Sequence, residues 1–150
     1  MKLNQLIESV AAPAQVYHIM DRKHLTLVQQ QGLVPQRKSN AANWNHINYG
    51  KPSTFVFSQW DKEEINEVLG MLSNKYLRPE DTEGQELWGD HEWATFVTAQ
   101  VALVIDCSKC PNVRFQKDPN GGSWSSYLVT TDPIPPEAIV ETRSVNFDWT

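Results

Sequence analysis

The sequence contains few cysteines and no second pair of metal ligands beside them. Its two cysteines, Cys107 and Cys110, stand among 150 residues with the spacing CxxC. A structural zinc ion takes four protein ligands, and the chain has no second CxxC and no HxxxH pair. The pair follows an apolar run and precedes Pro111, whereas a redox CxxC lies at the start of a helix. We therefore predict two reduced thiols in a turn and no metal site.

Long apolar segments are also missing. No run approaches the roughly 18 residues that a membrane-spanning helix needs. The first eight residues include Lys2 and Glu8, where an export signal would have a continuous apolar stretch. We therefore expect a cytoplasmic protein that makes no membrane contact.

Positive charge is in the minority. The chain has 13 basic and 18 acidic residues and a net charge of −5. Because a phosphate-binding surface needs an excess of basic residues, we do not expect generic nucleic-acid binding. Arg37-Lys38 is the best candidate for a local basic patch, with a solvated loop as the alternative. The Walker A, GxGxxG, HExxH and GxSxG motifs are absent from the sequence, so the mechanisms that depend on them are not indicated.

The overall composition is that of an ordinary globular domain. Hydrophobic residues make up 40% of the sequence and charged residues 21%, and this balance favours neither disorder nor a membrane protein. The sequence contains no internal repeat and no linker long enough to separate two domains. We therefore predict a single domain over residues 1–150.

Residues 15–35 form the best-defined local unit. Residues 15–20 are rich in aromatic and β-branched side chains, which is typical of a strand. Asp21 has the side chain of an N-cap, and it predicts that a short helix begins after it. Gly32 is suited to end that helix, and residues 33–35 lead away in an extended conformation.

The remaining elements follow from similar patterns. A second strand is predicted at residues 54–58. Asp61 and Glu64 then have the spacing of a capping box, in which each side chain accepts a backbone N–H at the start of a helix. The apolar face of that helix is formed by Ile65, Val68, Leu69 and Leu72. Further strands are predicted at residues 93–98, 101–106, 113–116, 126–130 and 139–142. Two main early helices followed by several strands predict an α+β fold with a mostly antiparallel sheet.

Two segments of the sequence resemble the ADP-ribosyltransferase superfamily. The first is Tyr17-His18-Ile19-Met20, followed by the capped helix and by Gly32-Leu33-Val34-Pro35. The second is Tyr127-Leu128-Val129, followed by Ile134-Pro135-Pro136-Glu137-Ala138-Ile139. DNA ADP-ribosyltransferase toxins and tRNA 2′-phosphotransferases have similar elements in the same order. The resemblance implies an ADP-ribosyltransferase-like split sheet, with NAD as the substrate.

The resemblance also implies roles for single residues. His18 would hydrogen-bond the nicotinamide ribose, and backbone groups of Ile19 would bind the nicotinamide carboxamide. Ser58, at the end of the second strand, would face NAD. The aromatic ring that stacks on nicotinamide is left open among Trp44, Tyr49 and Trp60.

The catalytic glutamate of the family is not at its usual position. That position falls at Ser125 or Ser126, and a serine cannot offset the positive charge of an oxocarbenium-like transition state. Losing one preorganised electrostatic partner typically costs about 100-fold to 1000-fold in rate. The tRNA 2′-phosphotransferases work without this glutamate. The candidates for a displaced glutamate are Glu92, Glu137 and Glu141, of which we choose Glu141 as the catalytic partner of His18.

The sequence therefore supports two functions on one scaffold. The first is an NAD-binding ADP-ribosyltransferase that transfers ADP-ribose to a macromolecular acceptor, either protein or nucleic acid. The alternative is a catalytically inactive protein of the same fold that acts through a protein partner. Tryptophans in or beside predicted loops would supply its contact surface, namely Trp44, Trp60 and Trp124. If the resemblance is accidental, the sequence predicts only an α+β domain.

Overall fold

The structure is a computed structural model that describes residues 13–35, 52–74, 90–117 and 126–145. These residues form one six-stranded sheet in which every neighbouring pair is antiparallel. The strands are β1 (Gln15–Asp21), β2 (Thr54–Phe57), β3 (Gln100–Asp106), β4 (Gln116–Lys117), β5 (Tyr127–Thr130) and β6 (Ile139–Ser144). The α-helices are α1 (Leu25–Gln31), α2 (Lys62–Asn74) and α3 (Asp90–Thr98). The predicted α+β class with an antiparallel sheet is confirmed.

The strand order is β4-β5-β2-β1-β3-β6, and the ladder of paired residues is shortest between β1 and β2. β1 pairs with β3 along its whole length, from Gln15 opposite Asp106 to Asp21 opposite Gln100. The register between β1 and β2, in contrast, contains the single pair Tyr17 and Phe57. The sheet thus divides into two parts, which we call the β1 half (β1, β3, β6) and the β2 half (β2, β4, β5).

Both faces of the sheet are covered, and β3 is buried on both. This explains why the sequence of β3 is continuously apolar rather than alternating. One face packs on α1 and on the segment around Ile134; its buried residues include Val16, Met20, Val56, Leu103 and Ile105. The other face packs on α2 and α3; its buried residues include Tyr17, Ile19, Phe57, Ile65, Leu69 and Val97. Successive residues of β1 therefore point to different cores.

The local unit at residues 15–35 is confirmed in detail. The Asp21 carboxylate accepts a hydrogen bond from the Lys23 backbone N–H at 2.9 Å and caps a 3₁₀ turn that leads into α1. The Gly32 N–H donates to the Val28 carbonyl at 2.7 Å where α1 ends. Gly32 has φ 78° and ψ −170°, a conformation that is essentially reserved for glycine. The predicted cap and the predicted glycine stop are therefore both present.

The strand predicted at residues 93–98 is wrong, because this segment lies within helix α3. Its aromatic and β-branched residues favoured a strand, but Trp93, Phe96 and Val97 also have helical spacing. Val97 is buried against the α2 side of the core, and the two aromatic residues pack beside it. Packing of this helical face outweighs the local strand preference.

The strand predicted at residues 113–116 is reduced to the two residues of β4, Gln116 and Lys117. Before β4, the side chains of Val113 and Phe115 pack on the α1 face of the sheet. The Arg114 N–H donates to the Asp132 carboxylate at 2.8 Å instead of joining a ladder. Residues 113–115 are therefore held in place by the contacts of their side chains and by the Asp132 carboxylate, and not by strand pairing.

The CxxC segment forms a 3₁₀ turn directly after β3, as the turn prediction requires. Both cysteines are free. Burial raises the pKa of Cys107 to about 11 and also raises the pKa of Cys110. Both groups are therefore neutral thiols near pH 7, not activated thiolates.

Candidate functional site

The two segments that resemble the ADP-ribosyltransferases meet in the structure. Leu33 and Ile134 form an isolated antiparallel bridge with backbone hydrogen bonds of 2.9 Å in both directions. Gly32 lies against the same strand: a Cβ atom added to it would stand 2.1 Å from the Ile134 carbonyl oxygen. The contact therefore needs a residue without a side chain at position 32.

His18 lies where the two halves of the sheet separate. Its Nδ1 is 2.8 Å from the Phe55 carbonyl oxygen on β2. A carbonyl oxygen only accepts hydrogen bonds, so Nδ1 carries the proton and donates it. In the neutral ring Nε2 is then the acceptor nitrogen. This contact joins β1 to β2 beside the single residue pair of their register, and it fixes the tautomer of the imidazole.

Ser58 lies at the end of β2 and is joined to the start of β5. Its backbone N–H donates to the Ser126 carbonyl at 3.1 Å, and its Oγ donates to the same oxygen at 3.3 Å. Ser126 itself is 8% exposed. The structure therefore brings Ser58 next to one of the two serines at which the resemblance would place a catalytic glutamate.

Ser126 also contacts a carboxylate that the sequence patterns assigned to another task. The Glu64 carboxylate, on the first turn of α2, accepts hydrogen bonds from the Ser126 N–H at 3.3 Å and from the Ser126 Oγ. One half of the predicted capping box is present, since the Asp61 carboxylate accepts the Glu64 N–H at 2.8 Å. The other half is replaced, because the Glu64 side chain turns to β5. No local pattern predicts this contact, which joins residues far apart in the chain.

Glu141 and His18 are not brought together. Glu141 is opposite Val104, which is opposite Tyr17, whereas His18 is opposite Leu103. Because side chains alternate along a strand, Glu141 and His18 lie on different faces of the sheet. The Glu141 carboxylate instead accepts two hydrogen bonds from Arg143, at 3.1 and 3.2 Å.

Arg143 also covers aromatic rings from both halves of the sheet. Its guanidinium Cζ lies 4.9 Å from the centre of the Trp60 ring and 5.6 Å from that of Tyr17. The two ring centres are 5.0 Å apart. Such cation–π contacts position the arginine and contribute about 0.5–1 kcal/mol at exposed sites. Trp60 therefore packs on the protein itself, and the sequence contained no signal for its contact with Arg143.

The remaining predicted site residues are located as follows. The Ile19 side chain is buried in the core beside α2 and α3, so only its backbone is available to a ligand. Glu137 is exposed on a 3₁₀ turn after Pro135. Residues outside the described ranges, or whose side chains are not described, are Trp44, Tyr49, Glu92, Trp124 and Ser125.

Two classes of site or element are not found in the described part of the chain. Among residues 13–35, 52–74, 90–117 and 126–145, no three His, Cys, Asp or Glu side chains are arranged to hold a metal ion. No helix within those same ranges has the length and apolar character needed to cross a bilayer. No protein-family model matches the chain, and no curated protein shows significant similarity to it.

Proposed function

We propose that this protein is an NAD-dependent ADP-ribosyltransferase that transfers ADP-ribose to a macromolecular acceptor, protein or nucleic acid. The supporting observation is the arrangement around β2. Its Phe55 carbonyl orients the imidazole of His18, and Ser58 at its end bonds Ser126. All three polar residues come from the segments or positions named by the family resemblance. The free, neutral thiols are compatible with a reducing compartment, and we propose the cytoplasm.

In this reaction the bond between ribose C1′ and the nicotinamide nitrogen breaks. The bonding electron pair leaves with nicotinamide, which departs as a neutral molecule because its ring nitrogen was positively charged in NAD. A nucleophilic atom of the acceptor forms the new bond to C1′ and loses its proton. His18, with its Nδ1 proton engaged by Phe55, would accept a hydrogen bond from a ribose hydroxyl at Nε2. Its role would be to orient the substrate.

The proposal is tested by titrating NAD against the protein and following tryptophan fluorescence, together with a measurement of nicotinamide release. Six tryptophans provide the signal. We expect saturable quenching and slow release of nicotinamide, and we expect both to be lost in His18→Ala. His24→Ala is the matched control, since His24 is an exposed histidine on the turn before α1, and it should behave like the wild type. Absence of any response at millimolar NAD would exclude the proposed substrate.

The alternative function is a protein of this fold that binds a partner without catalysis. It is favoured by the position of Glu141, whose carboxylate is held by Arg143 on the face opposite His18. In that case no nicotinamide would be released. Substitution of Trp44 would impair partner binding, while His18→Ala would leave it intact.

A further inference from the structure

We infer that Glu64 is the catalytic carboxylate of this protein, held by Ser126 so that it faces the ribose carbon from which nicotinamide departs. This inference rests on the proposed function. When the bond to nicotinamide breaks, positive charge develops on the ribose ring. A carboxylate placed in advance near this charge stabilises the transition state more than the ground state. Glycoside-cleaving enzymes meet the same requirement with fixed Asp or Glu side chains.

Glu64 differs in its contacts from five other carboxylates that form hydrogen bonds or ion pairs in the described part of the chain. Asp21 and Asp106 accept backbone N–H groups of their own turns, and Asp61 does so at the start of α2. Asp132 and Glu141 are paired with arginines. Glu64 is partly buried and is held by neutral donors from a different element of the fold.

The nature of these donors is important for the chemistry. The Ser126 hydroxyl and backbone N–H orient the Glu64 carboxylate, but neither carries a net charge that would cancel it. An arginine partner, such as the one beside Glu141, would compensate the negative charge that the transition state needs. Glu64 is thus oriented by donors that carry no net charge.

The contact lies at the end of β2, the strand whose Phe55 carbonyl also holds His18. Ser126 immediately precedes β5, and its carbonyl accepts both hydrogen bonds from Ser58 at the end of β2. The carboxylate of α2 is therefore brought to the point where β2 and β5 meet. A helix residue would supply the charge that the serine at the start of β5 lacks.

The complete step balances in protons and charge. The C1′–nitrogen bond breaks with its electron pair on nicotinamide, and the acceptor's hydroxyl or amine forms a bond to C1′. Glu64 takes the proton that the acceptor loses and passes it to water. With water as the acceptor, the products are ADP-ribose, nicotinamide and one proton.

The test is Glu64→Gln in the full chain, assayed for NAD binding by tryptophan fluorescence and for nicotinamide release at saturating NAD. Glutamine keeps one oxygen for the Ser126 N–H, and its NH2 group can donate to the Ser126 hydroxyl oxygen, so a structural contact is retained while the charge is lost. We expect the Kd for NAD to stay within about twofold and the release rate to fall on the order of 100-fold. Glu63→Gln is the control, because Glu63 is an exposed glutamate on the same turn, and it should match the wild type.

A second variant, Ser126→Ala, tests the inference even if Glu64→Gln does not fold. Ser126→Ala keeps the Glu64 charge and removes one of its two donors, so release should fall by about tenfold with an unchanged Kd. Circular dichroism and thermal melting would accompany both variants.

Each contrary outcome has a distinct meaning. Wild-type release rates in a folded Glu64→Gln or Ser126→Ala variant overturn the inference and leave the proposed function standing. Loss of NAD binding in folded Glu64→Gln also overturns it, since Glu64 would then serve substrate binding. A wild-type protein that neither binds nor cleaves NAD overturns both proposals.

Discussion

The two halves of the sheet are built differently. In the β1 half, β1 and β3 pair over seven residues each, and residues 101–105 of β3 are at most 2% exposed. In the β2 half, β2 and β5 have four residues each and β4 has two. Side-chain hydrogen bonds donated by His18 and Ser58, and one accepted by Glu64, supplement this shorter ladder.

This difference suggests that the β1 half mainly determines stability, while the junction and the β2 half carry the residues of the proposed chemistry. Long buried ladders resist local opening, whereas regions with few apolar contacts open more readily. The polar residues of the candidate site lie at the junction of the halves and in the β2 half. We therefore expect substitutions in the β1 half to act mainly on the free energy of unfolding, and those at the junction to act mainly on NAD binding and cleavage.

The largest effect on stability is expected for Gly32→Ala, which acts on the bridge between Leu33, after α1, and Ile134, after β5. The new Cβ would meet the Ile134 carbonyl oxygen at 2.1 Å, and the backbone conformation is one that alanine rarely adopts. Conformational strain alone costs about 1–3 kcal/mol, and the clash adds to it. Urea unfolding would measure the loss.

Gly70→Ala is the control for this experiment. Gly70 is inside α2, and a Cβ there meets nothing within 4 Å. Because alanine is the better helix former, this variant should be more stable than the wild type by up to about 1 kcal/mol. A Gly32→Ala protein as stable as Gly70→Ala would contradict the packing described for the bridge.

A matched pair of valines compares the halves directly. Val104 on β3 is 0% exposed and Val129 on β5 is 1% exposed. Each Val→Ala change removes two buried methyl groups, worth about 0.8 kcal/mol apiece, and leaves a cavity. We expect Val104→Ala to be the more destabilising, since the β1 half has fewer ways to relax. Equal losses in the free energy of unfolding, measured in urea, or a larger loss for Val129→Ala, would contradict the expected difference between the two halves.

The smallest effect is expected for Arg143→Ala, which removes a contact between the halves. The arginine on β6 covers Trp60, which follows β2, and pairs with the partly exposed Glu141. An exposed ion pair contributes at most about 1 kcal/mol, and the cation–π contact adds a similar amount. We expect a loss of about 1–2 kcal/mol and a change in Trp60 fluorescence, with NAD cleavage unaffected. Loss of cleavage in this variant would mean that the Glu141–Arg143 pair belongs to the site.

Much of the fold was predictable because its signals are local. Strand β1, the Asp21 cap, the Gly32 stop and helix α2 follow from side chains within a few residues of one another. The sequence of α3 predicts a strand wrongly, because its aromatic and β-branched residues fit both the strand and the helix pattern over such a short segment. Only the core against which Val97 packs distinguishes the two.

The candidate site was predictable to a smaller extent. The resemblance implies roles for His18 and Ser58, and these roles stay predictions; the structure joins each residue to an element adjacent in the sheet. The sequence does not indicate Glu64 as a candidate site residue, because its position in a capping box already accounts for a glutamate there. Glu141 does not join His18, because the strand register, which no local pattern predicts, places its side chain on the opposite face of the sheet.

The sequence by itself determined the α+β class, the order of the early elements and the end of α1 at Gly32. Hydrophobic periodicity, capping and backbone conformation determine these features, and all three depend on near neighbours. The tertiary structure decided where the sheet divides and on which face of the sheet each polar side chain lies. It also decided that Glu64 contacts Ser126. These features depend on strand register and on contacts between residues far apart in the chain. A shift of one residue in register would move every side chain of a strand to the opposite face.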